Sequence, residues 1–365
     1  MMGCRGADLF SEIDMLRSQL LHNVEVTADC QRVEEEISPQ DVLTRIENII
    51  LGIVTSLSKD EAPVLALPNR SSWANVSFDS AIGLQMSSGS SVTTIRSDCA
   101  LSVAKFAQIL KILLVIYRLV QSNSYATKRD IYYNNTQLFG SQKTVDGIVD
   151  DISCMLKVPR RSLHVFATSK GLISGDLCYI EEDGTRIDCH SSSADATFQR
   201  LLDDDFCTKL SPCIIITGKG VPDVNSRLMV RKLWDTLHIP IFALVDADPH
   251  GIEIMCIYKY GSVAMSFEAH SLTVPSVMWL GLLPSDLQRL RVPADALIPL
   301  TSTDENKLTS LLKRPYLTSQ PDWQKEMELM QQTKVKAEIQ SLAAIAPDYL
   351  TSIYLPNKLR YGGWV

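Results

Sequence analysis

Residues 239–251 read Ile-Pro-Ile-Phe-Ala-Leu-Val-Asp-Ala-Asp-Pro-His-Gly, an apolar run that ends in two aspartates and a glycine. An earlier apolar run, Cys-Ile-Ile-Ile-Thr, occupies residues 213–217, and helical periodicity follows the two runs over 225–237 and 252–260. Short β-branched runs that alternate with helices are typical of parallel strands whose sheet is covered on both faces. The sequence therefore predicts an α/β domain with a parallel sheet in this half of the chain.

Asp246 and Asp248 directly follow the later of these two strands. In open α/β sheets, ligands gather at the carboxyl ends of the strands. Carboxylate oxygens suit Mg²⁺, and Gly251 lets the backbone turn tightly beside them. Asp246 and Asp248 are therefore predicted to be Mg²⁺ ligands. The alternative, a solvated Asp-Pro turn after a strand, has equal support from the pattern alone.

The middle of the chain has the pattern of a winged helix-turn-helix. Helical spacing covers about 101–121, 129–139 and 144–156, and strand-like runs follow at 163–167 and 172–175. Three short helices followed by a β-wing are typical of a DNA-binding winged helix. We therefore predict a winged-helix domain ahead of the α/β domain, so that the whole chain is mixed α/β.

Two neighbouring tyrosines, Tyr132 and Tyr133, lie in the second of these helices. Arg129 precedes Tyr133 by four residues, so the two side chains share one helix face. A tyrosine hydroxyl with a pKa of about 10 is a poor nucleophile near neutral pH. A guanidinium beside it stabilises both the phenolate and the phosphate that it attacks. These residues suit a catalytic pair, although half-buried packing is the commoner role of adjacent tyrosines.

The charge balance argues mildly against a general affinity for nucleic acid. The 365 residues include 35 Lys and Arg against 42 Asp and Glu, a formal charge of −7. A DNA-binding role must therefore rest on a local basic patch. Basic residues do cluster around the predicted winged helix: Lys128, Arg129, Lys143, Lys157, Arg160, Arg161 and Lys170. This cluster is either a phosphate-binding footprint or an ordinary solvated face.

Several classes of protein are disfavoured by composition. The nine cysteines are an odd number and include no Cys-x-x-Cys pair, which disfavours zinc ribbons and secreted disulfide scaffolds. The strongest apolar run, residues 109–120, is broken by two basic residues and is shorter than the ~20 residues of a membrane span. The N-terminus has no apolar core of a secretory signal. We therefore expect a soluble protein without membrane contact, in the cytosol or the nucleus.

The N-terminal region is predicted to be helical. Apolar spacing indicates a helix over 8–22, and Ser38-Pro39-Gln40-Asp41 has the form of a capping box that begins a second helix, which continues to Leu57. Its wide apolar stripe serves either core packing or a partner helix. Short strands are expected at 76–78 and 82–86.

We divide the chain into an N-terminal helical and partner-binding region (1–98), a winged-helix domain (99–180), an α/β domain (181–345) and a C-terminal tail (346–365). Residues 281–355 have mostly helical patterns, and the end of the chain is predicted to be an ordered tail. The Gly218-Lys219-Gly220 segment lacks the Walker A pattern, so the sequence gives no ATP-binding motif.

Several long segments, in order, resemble the topoisomerase VI A-subunit family, which includes meiotic break-forming members. They contain "ATKRDIYYNN" (from 126), "DATFQRLL" (from 195), "VDADPHGIE" (from 245) and "YLPNKLRYGGWV" (from 354). The resemblance implies a winged-helix domain followed by a Toprim domain. It also implies that Tyr133 attacks a DNA phosphodiester, that Arg129 assists, and that Asp246 and Asp248 hold Mg²⁺.

The same resemblance implies an activity and its partners. Members of this kind form meiotic double-strand breaks in the nucleus, on chromosomes, by tyrosine transesterification of double-stranded DNA. They act as homodimers, with the tyrosine of one protomer facing the metal site of the other. A topoisomerase VI B-like subunit docks on the N-terminal helices, here on the stripe between Val42 and Leu57.

One departure from the family pattern affects the expected activity. In the family, an apolar strand ending in Val-Glu-Lys directly precedes the "DATFQRLL" segment. Here the match breaks off after Asp188 and resumes at Asp195, and Ser193 takes the position of the glutamate. The first Toprim strand and one acidic group are thus expected to be missing, which lowers stability and weakens metal-dependent cleavage. The alternative function is a cleavage-deficient isoform that binds DNA or a partner.

Overall fold

The computed structural model describes residues 37–166, 169–180, 184–189, 196–204 and 206–365. The predicted helix over 8–22 and the position of Ser193 lie outside these residues. The helices are α1 (Pro39–Ser58), α2 (Val103–Gln121), α3 (Lys128–Tyr133), α4 (Thr136–Phe139), α5 (Gln142–Leu156), α6 (Ala196–Asp203), α7 (Phe206–Lys209), α8 (Val224–Leu237), α9 (Pro249–Tyr260), α10 (Ala269–Leu272), α11 (Pro284–Arg289), α12 (Ser302–Leu312), α13 (Pro321–Thr333) and α14 (Leu355–Arg360).

The strands are short and form seven two-stranded pairs within the described residues. They are β1 (Val64–Pro68), β2 (Val76–Asp79), β3 (Gly83–Met86), β4 (Val92–Arg96), β5 (Ala126–Thr127), β6 (Val165–Phe166), β7 (Leu172–Gly175), β8 (Cys178–Ile180), β9 (Arg186–Asp188), β10 (Ile214–Thr217), β11 (Phe242–Leu244), β12 (Met278–Gly281), β13 (Ile298–Pro299) and β14 (Val335–Lys336).

Helix α1 begins at the predicted capping box. The Asp41 backbone N–H donates to Ser38 Oγ at 3.1 Å, and the Ser38 backbone N–H donates to Asp41 Oδ2 at 3.2 Å. The helix buries Val42 and Ile46, whereas Leu51 and further apolar side chains on its outer face stay exposed. The wide apolar stripe is therefore only partly used for packing.

A first hydrophobic core joins α1, α2 and α5. The inward residues of α2, including Ile109, Ile112 and Ile116, are completely buried, and Val145 and Ile152 of α5 pack against them. The antiparallel pair β1–β4 covers this core through Leu65 and Ile95. These contacts form the scaffold that presents α3 at the surface.

The predicted helix over 129–139 is in fact two short helices, α3 and α4. Helix α3 begins at a capping box of Thr127 and Asp130 and ends at Asn134, and Asn135 has the non-helical φ of −153°. Asparagine competes for backbone hydrogen bonds and favours helix ends, so the Asn-Asn pair interrupts the periodic pattern. Tyr133 consequently lies at the end of a helix instead of its middle.

The predicted wing strands form, but they do not pair with each other. Strand β6 pairs in parallel with β5, and β7 pairs in antiparallel fashion with β10 of the second half. A different hairpin, β8–β9, follows β7. The three predicted helical segments are present, while the winged helix as a domain type is not confirmed by this pairing.

The second half contains a parallel pair, β11–β12, as predicted for the Toprim region. The prediction that the strand at 213–217 joins this parallel arrangement is not met, because β10 bonds only to β7 within the described residues. Successive side chains of β10 and of β11 nevertheless pack against two different hydrophobic cores. Ile216 and Ala243 pack against a second core, and Ile215 and Leu244 pack against a third.

The C-terminal part is mostly helical, as predicted, with one strand pair that the sequence did not indicate. Strands β13 and β14 pair, and Ala247 forms a backbone bridge with Ala337. The tail is held in place because the backbones of Trp279 and Val365 exchange hydrogen bonds at 2.7 and 3.0 Å. Among the helices of the described ranges, none has the length and apolar character needed to cross a membrane.

Candidate catalytic tyrosine and metal-binding aspartates

Tyr133 is presented to solvent at the end of α3. Its exposed fraction is 70%, whereas Ile131 on the opposite face is 2% exposed and anchors the helix in the first core. Tyr132 is half-buried against that core, and its ring lies 5.4 Å from the Tyr133 ring. No residue in the described part of the chain hydrogen-bonds the Tyr133 hydroxyl. The packing role is therefore taken by Tyr132, and Tyr133 is the tyrosine that a ligand can reach.

Arg129 lies one helical turn before Tyr133 and is also exposed. The capping box of Thr127 and Asp130 fixes the start of this turn, with the Thr127 backbone N–H donating to Asp130 Oδ2 at 2.8 Å. Two exposed side chains four residues apart on a helix lie next to each other. The structure thus leaves Arg129 and Tyr133 together at the surface, as the spacing predicted, and their catalytic roles remain predictions.

Not all of the basic residues that cluster around the predicted winged helix are exposed. Lys128 Nζ lies 3.3 Å from Asp150 and 3.8 Å from Asp146, and burial lowers the pKa of Lys128 although Asp150 opposes this. Arg160 is buried with its Nη1 3.6 Å from the same Asp150. Lys170 Nζ donates to a loop carbonyl. The exposed members of the cluster are Arg129, Lys143, Lys157, Arg161 and Lys170.

An exposed aromatic stack, which the sequence did not indicate, lies beside the beginning of α3. The Tyr125 ring stacks on His164 at 4.3 Å and on Phe166 at 4.8 Å, with interplanar angles of 7° and 6°. Half of the surface of both Tyr125 and Phe166 is exposed. Flat exposed rings can stack on nucleobases. The stack depends on the pairing of β5 with β6, which local periodicity does not reveal.

Asp246 and Asp248 lie together at the end of β11, where α9 begins. Asp248 is the N-cap residue of α9, and its Oδ1 accepts a hydrogen bond from the Gly251 backbone N–H at 2.5 Å. Asp246 Oδ1 accepts from the Ile339 backbone N–H at 2.8 Å. Both carboxylates therefore accept a backbone hydrogen bond, which is compatible with the predicted metal site and with the Asp-Pro turn alternative alike.

Gly251 has no room for a side chain. A Cβ atom there would lie 2.6 Å from the Asp246 carbonyl oxygen and 3.1 Å from Asp248 Oδ1. The glycine therefore lets α9 pack directly against the two aspartates. This close approach explains the Asp-x-Asp-Pro-x-Gly spacing.

The two aspartates offer a donor set that fits Mg²⁺ in part. No group of three or more His, Cys, Asp or Glu side chains within the described ranges is arranged for metal binding. Mg²⁺ needs only one or two carboxylates when water and substrate phosphates supply its other ligands. Asp246 and Asp248 would supply these two, and a phosphate-bearing substrate would have to complete the site.

A charged network that the sequence did not indicate supports the turn. Lys336 Nζ lies 2.8 Å from Asp304 Oδ2, and His250 Nε2 lies 3.9 Å from Asp304 Oδ1. Burial raises the pKa of Asp304, but the hydrogen bonds from Lys336 and Thr301 outweigh it and lower the pKa to about 2. Asp304 is therefore ionised at neutral pH and holds β14 against the beginning of α12.

Two family models match the chain. The model for the Toprim domain of Spo11 and the topoisomerase 6 A subunits matches residues 193–359, and the model described as "Type IIB DNA topoisomerase" matches residues 104–165. The chain is 57% identical to the meiotic recombination protein SPO11 of Mus musculus, over 98% of each chain. It is 60% identical to the Homo sapiens protein of that name, over 90% of this chain and 89% of the other.

A more distant relative is the A3 subunit of DNA topoisomerase 6 from Oryza sativa subsp. indica, which is 35% identical over 89% of this chain and 78% of its own. The alignment to the mouse protein extends over 390 positions, whereas this chain has 365 residues. At least 25 positions of the mouse protein therefore have no counterpart here. With identities of 57% and 60% over nearly the whole length, the chain belongs to the family of Spo11 and the topoisomerase 6 A subunits.

Proposed function

We propose that this chain is a topoisomerase-like tyrosine transesterase that forms double-strand breaks in meiotic DNA and so initiates homologous recombination. The observation that carries the proposal is the exposure of Tyr133 beside Arg129, on a scaffold that buries the neighbouring Tyr132 by half. The close relatives named above are meiotic recombination proteins. An accessible phenol in this family is the group expected to react with DNA.

The reaction conserves bond energy and needs no nucleotide. Tyr133 Oη loses its proton and forms a bond to the phosphorus of a DNA phosphodiester. The bond from phosphorus to the 3′ oxygen breaks, and that oxygen takes up a proton as the leaving hydroxyl. The tyrosine remains attached to the 5′ phosphate. Two such events on opposite strands give a double-strand break with protein on both 5′ ends.

Arg129 and the two aspartates have separate tasks in this proposal. The Arg129 guanidinium, exposed one turn from Tyr133, stabilises the phenolate and the negative charge that grows on the phosphate. Asp246 and Asp248 would hold Mg²⁺. When bound, Mg²⁺ supplies positive charge that neutralises the phosphate oxygens and orients them.

The proposed assembly is a nuclear homodimer on double-stranded DNA. Each composite site combines the tyrosine of one protomer with the aspartates of its partner, so each site cuts one strand. A topoisomerase VI B-like subunit binds the outer face of α1, where Leu51, Val54 and Leu57 are between 54% and 63% exposed. Exposed apolar side chains on one helix face are typical of a partner-helix contact.

The test is covalent capture of DNA by purified protein with Mg²⁺. The wild type should give an adduct that survives denaturing electrophoresis, and Tyr133→Phe should reduce it to background because only one oxygen is removed. Tyr132→Phe is the matched control and should retain the adduct. Adducts that persist in Tyr133→Phe and disappear in Tyr132→Phe would transfer the nucleophile to the neighbouring residue.

A second candidate is a cleavage-deficient isoform that binds DNA or a partner in the break-forming complex. It is favoured by the 25 or more positions of the mouse protein that have no counterpart here. It is also favoured by the Toprim region, where β10 and β11 are not paired to each other within the described residues. DNA binding without Mg²⁺-dependent adducts, with an adduct-forming relative as positive control, would select this candidate.

A further inference from the structure

The strands β10 and β11 each have one backbone edge that is not paired within the described residues. β10 forms its ladder only with β7, from the pair Ile214–Gly175 to the pair Thr217–Leu172. β11 forms its ladder only with β12. Unpaired N–H and C=O groups at a sheet edge are a template for another strand. The second half therefore presents two such templates.

The two strands lie in one layer between the same two cores. Ile216 of β10 and Ala243 of β11 pack against the second core, and Ile215 and Leu244 pack against the third. Side chains that alternate between two cores are the signature of a sheet covered on both faces. β10 and β11 are therefore parts of one interrupted layer.

A cavity of about 750 Å³ occupies the interruption. Its lining comes from both strands and from the helices on either side of the layer: Ile214, Ile216, Phe242, Leu244, Leu201 and Val230. All residues of β10 and β11 are only half-buried, whereas Trp279 of β12 is completely buried. Apolar β-branched side chains that line a cavity instead of a packed core leave contacts unmade.

We propose that this cavity is a docking groove for one extended apolar segment of another polypeptide, which enters as an additional strand between β10 and β11. A polypeptide suits the groove better than a small apolar molecule, because only a backbone can satisfy the N–H and C=O groups of both edges. Both faces of the incoming strand meet apolar side chains, so it should be rich in Val and Ile throughout.

The order of elements along the chain also points to a missing strand at this position. Helices α6 and α7 precede β10, and a strand–helix–strand connection in one sheet is right-handed and joins parallel neighbours. Among the described residues, the last strand before α6 is β9, which pairs with β8, so β10 has no parallel neighbour there and the place beside it is open to a strand. The mouse relative has at least 25 positions without a counterpart here, enough for such a strand. This inference concerns binding and does not rest on the proposed cleavage activity.

The test adds a synthetic peptide, acetyl-Lys-Val-Ile-Val-Ile-Val-Lys-amide, to the purified full chain. Amide hydrogen exchange of residues 214–217 and 242–244 is measured with and without it. We expect exchange to slow by tenfold or more in both strands, because both edges become paired, and the melting temperature to rise.

The matched control is the same peptide with alternate residues N-methylated, which keeps its apolar surface but removes the N–H donors of one edge. It should protect at most one of the two strands. Equal protection by both peptides, binding that leaves exchange unchanged, or no binding at all would each overturn the proposal. The protein itself is unaltered in every arm, so a folding defect cannot imitate any of these outcomes.

Discussion

At the scale of single residues, Asp248 has two tasks that can be separated by substitution. It caps α9 through the Gly251 backbone N–H, and it is a proposed Mg²⁺ ligand. Asn is as good an N-cap as Asp but carries no charge, whereas Ala loses both functions. The pair of variants therefore distinguishes a structural aspartate from a metal-binding one.

We expect Asp248→Asn to unfold within about 0.5 kcal/mol of the wild type, and Asp248→Ala to lose roughly 1 kcal/mol, since a cap is removed. Both should lose Mg²⁺ affinity, measured by calorimetric titration in the presence of a DNA duplex. Chemical denaturation supplies the stability values. An Asn variant that binds Mg²⁺ as tightly as the wild type would remove Asp248 from the metal site.

The sequence identified the candidate residues but not their surroundings. Tyr133 and Arg129 share one helix face as their spacing predicts, because local periodicity determines which side chains share a face, and the structure adds that both are exposed. Local periodicity did not show which of the two tyrosines, Tyr132 or Tyr133, is the more buried. Lys128 and Arg160 belong to the basic cluster that the sequence predicts to be either a phosphate footprint or a solvated face, yet both pair with Asp150. Ion pairs between residues 10 to 22 positions apart depend on tertiary structure, which composition does not show.

At the scale of elements, the outer face of α1 has apolar residues that the fold does not use. Leu51→Glu with Val54→Glu should change the free energy of unfolding by less than about 0.5 kcal/mol, since both side chains are exposed. The same variant should no longer co-purify with a topoisomerase VI B-like subunit. Asn48→Glu with Thr55→Glu adds equal charge to exposed polar positions of α1 and should retain the partner. Loss of the partner in both variants would show that charge alone is responsible.

The beginning of α12 depends on one ionised carboxylate. Asp304 accepts hydrogen bonds from Thr301 and from Lys336 Nζ, and its pKa is lowered from 3.8 to about 2. A lowered pKa stabilises the folded state above the unfolded value near 3.8, and this contribution is lost as the pH falls through the folded value near 2.

Asp304→Asn should therefore lower the free energy of unfolding by roughly 2 kcal/mol at pH 7, since a charged partner of Lys336 is lost. The difference between wild type and variant should shrink as the pH falls from 4 towards 2. Urea denaturation of both proteins across this range measures it. A difference that stays constant down to pH 2.5 would contradict the assigned role of the carboxylate.

Helices were predicted better than strand pairings. The bounds of α1, α2 and α5 follow from periodicity and from the cap at Ser38, which are local properties of the chain. The partners of β6 and β7 were not predicted, because two- to four-residue strands carry almost no pairing information in their own sequence. The sequence predicts residues 281–355 to be mostly helical, yet β14 pairs with β13, and Ala337 pairs with Ala247 next to Asp246.

At the scale of the whole molecule, two separate cores in the second half lie on either side of β10 and β11, which do not pair with each other within the described residues. The second and third cores each receive residues from β10 and β11, so the sheet is the layer that separates them. The cavity of about 750 Å³ lies in this layer and is also lined by Asp246. The unfilled space between β10 and β11 therefore lies next to the candidate metal ligand Asp246. Stability and metal-dependent cleavage should therefore both respond to a strand added between β10 and β11.

The last prediction concerns a chimera that restores the strand within the chain. An apolar strand that ends in Val-Glu-Lys, the form that the family resemblance implies at this point, is inserted between Asp188 and Asp195. We expect the melting temperature to be several degrees higher. A change of about 1 kcal/mol in the free energy of unfolding shifts the melting temperature by 2–4 °C in a domain of this size, and a buried strand contributes more than that. We also expect Mg²⁺-dependent adducts at Tyr133 to increase at least tenfold.

A matched chimera with Gln in place of the inserted glutamate separates packing from chemistry. Filling the layer between β10 and β11 needs only the apolar strand, so this control should melt at the same raised temperature. In the proposed mechanism, cleavage also needs the inserted carboxylate, so the adducts of this control should stay near those of the present chain. If both chimeras gain adducts equally, the sheet alone limits cleavage. If neither gains stability, the inserted strand does not occupy the layer, and the cavity has another cause.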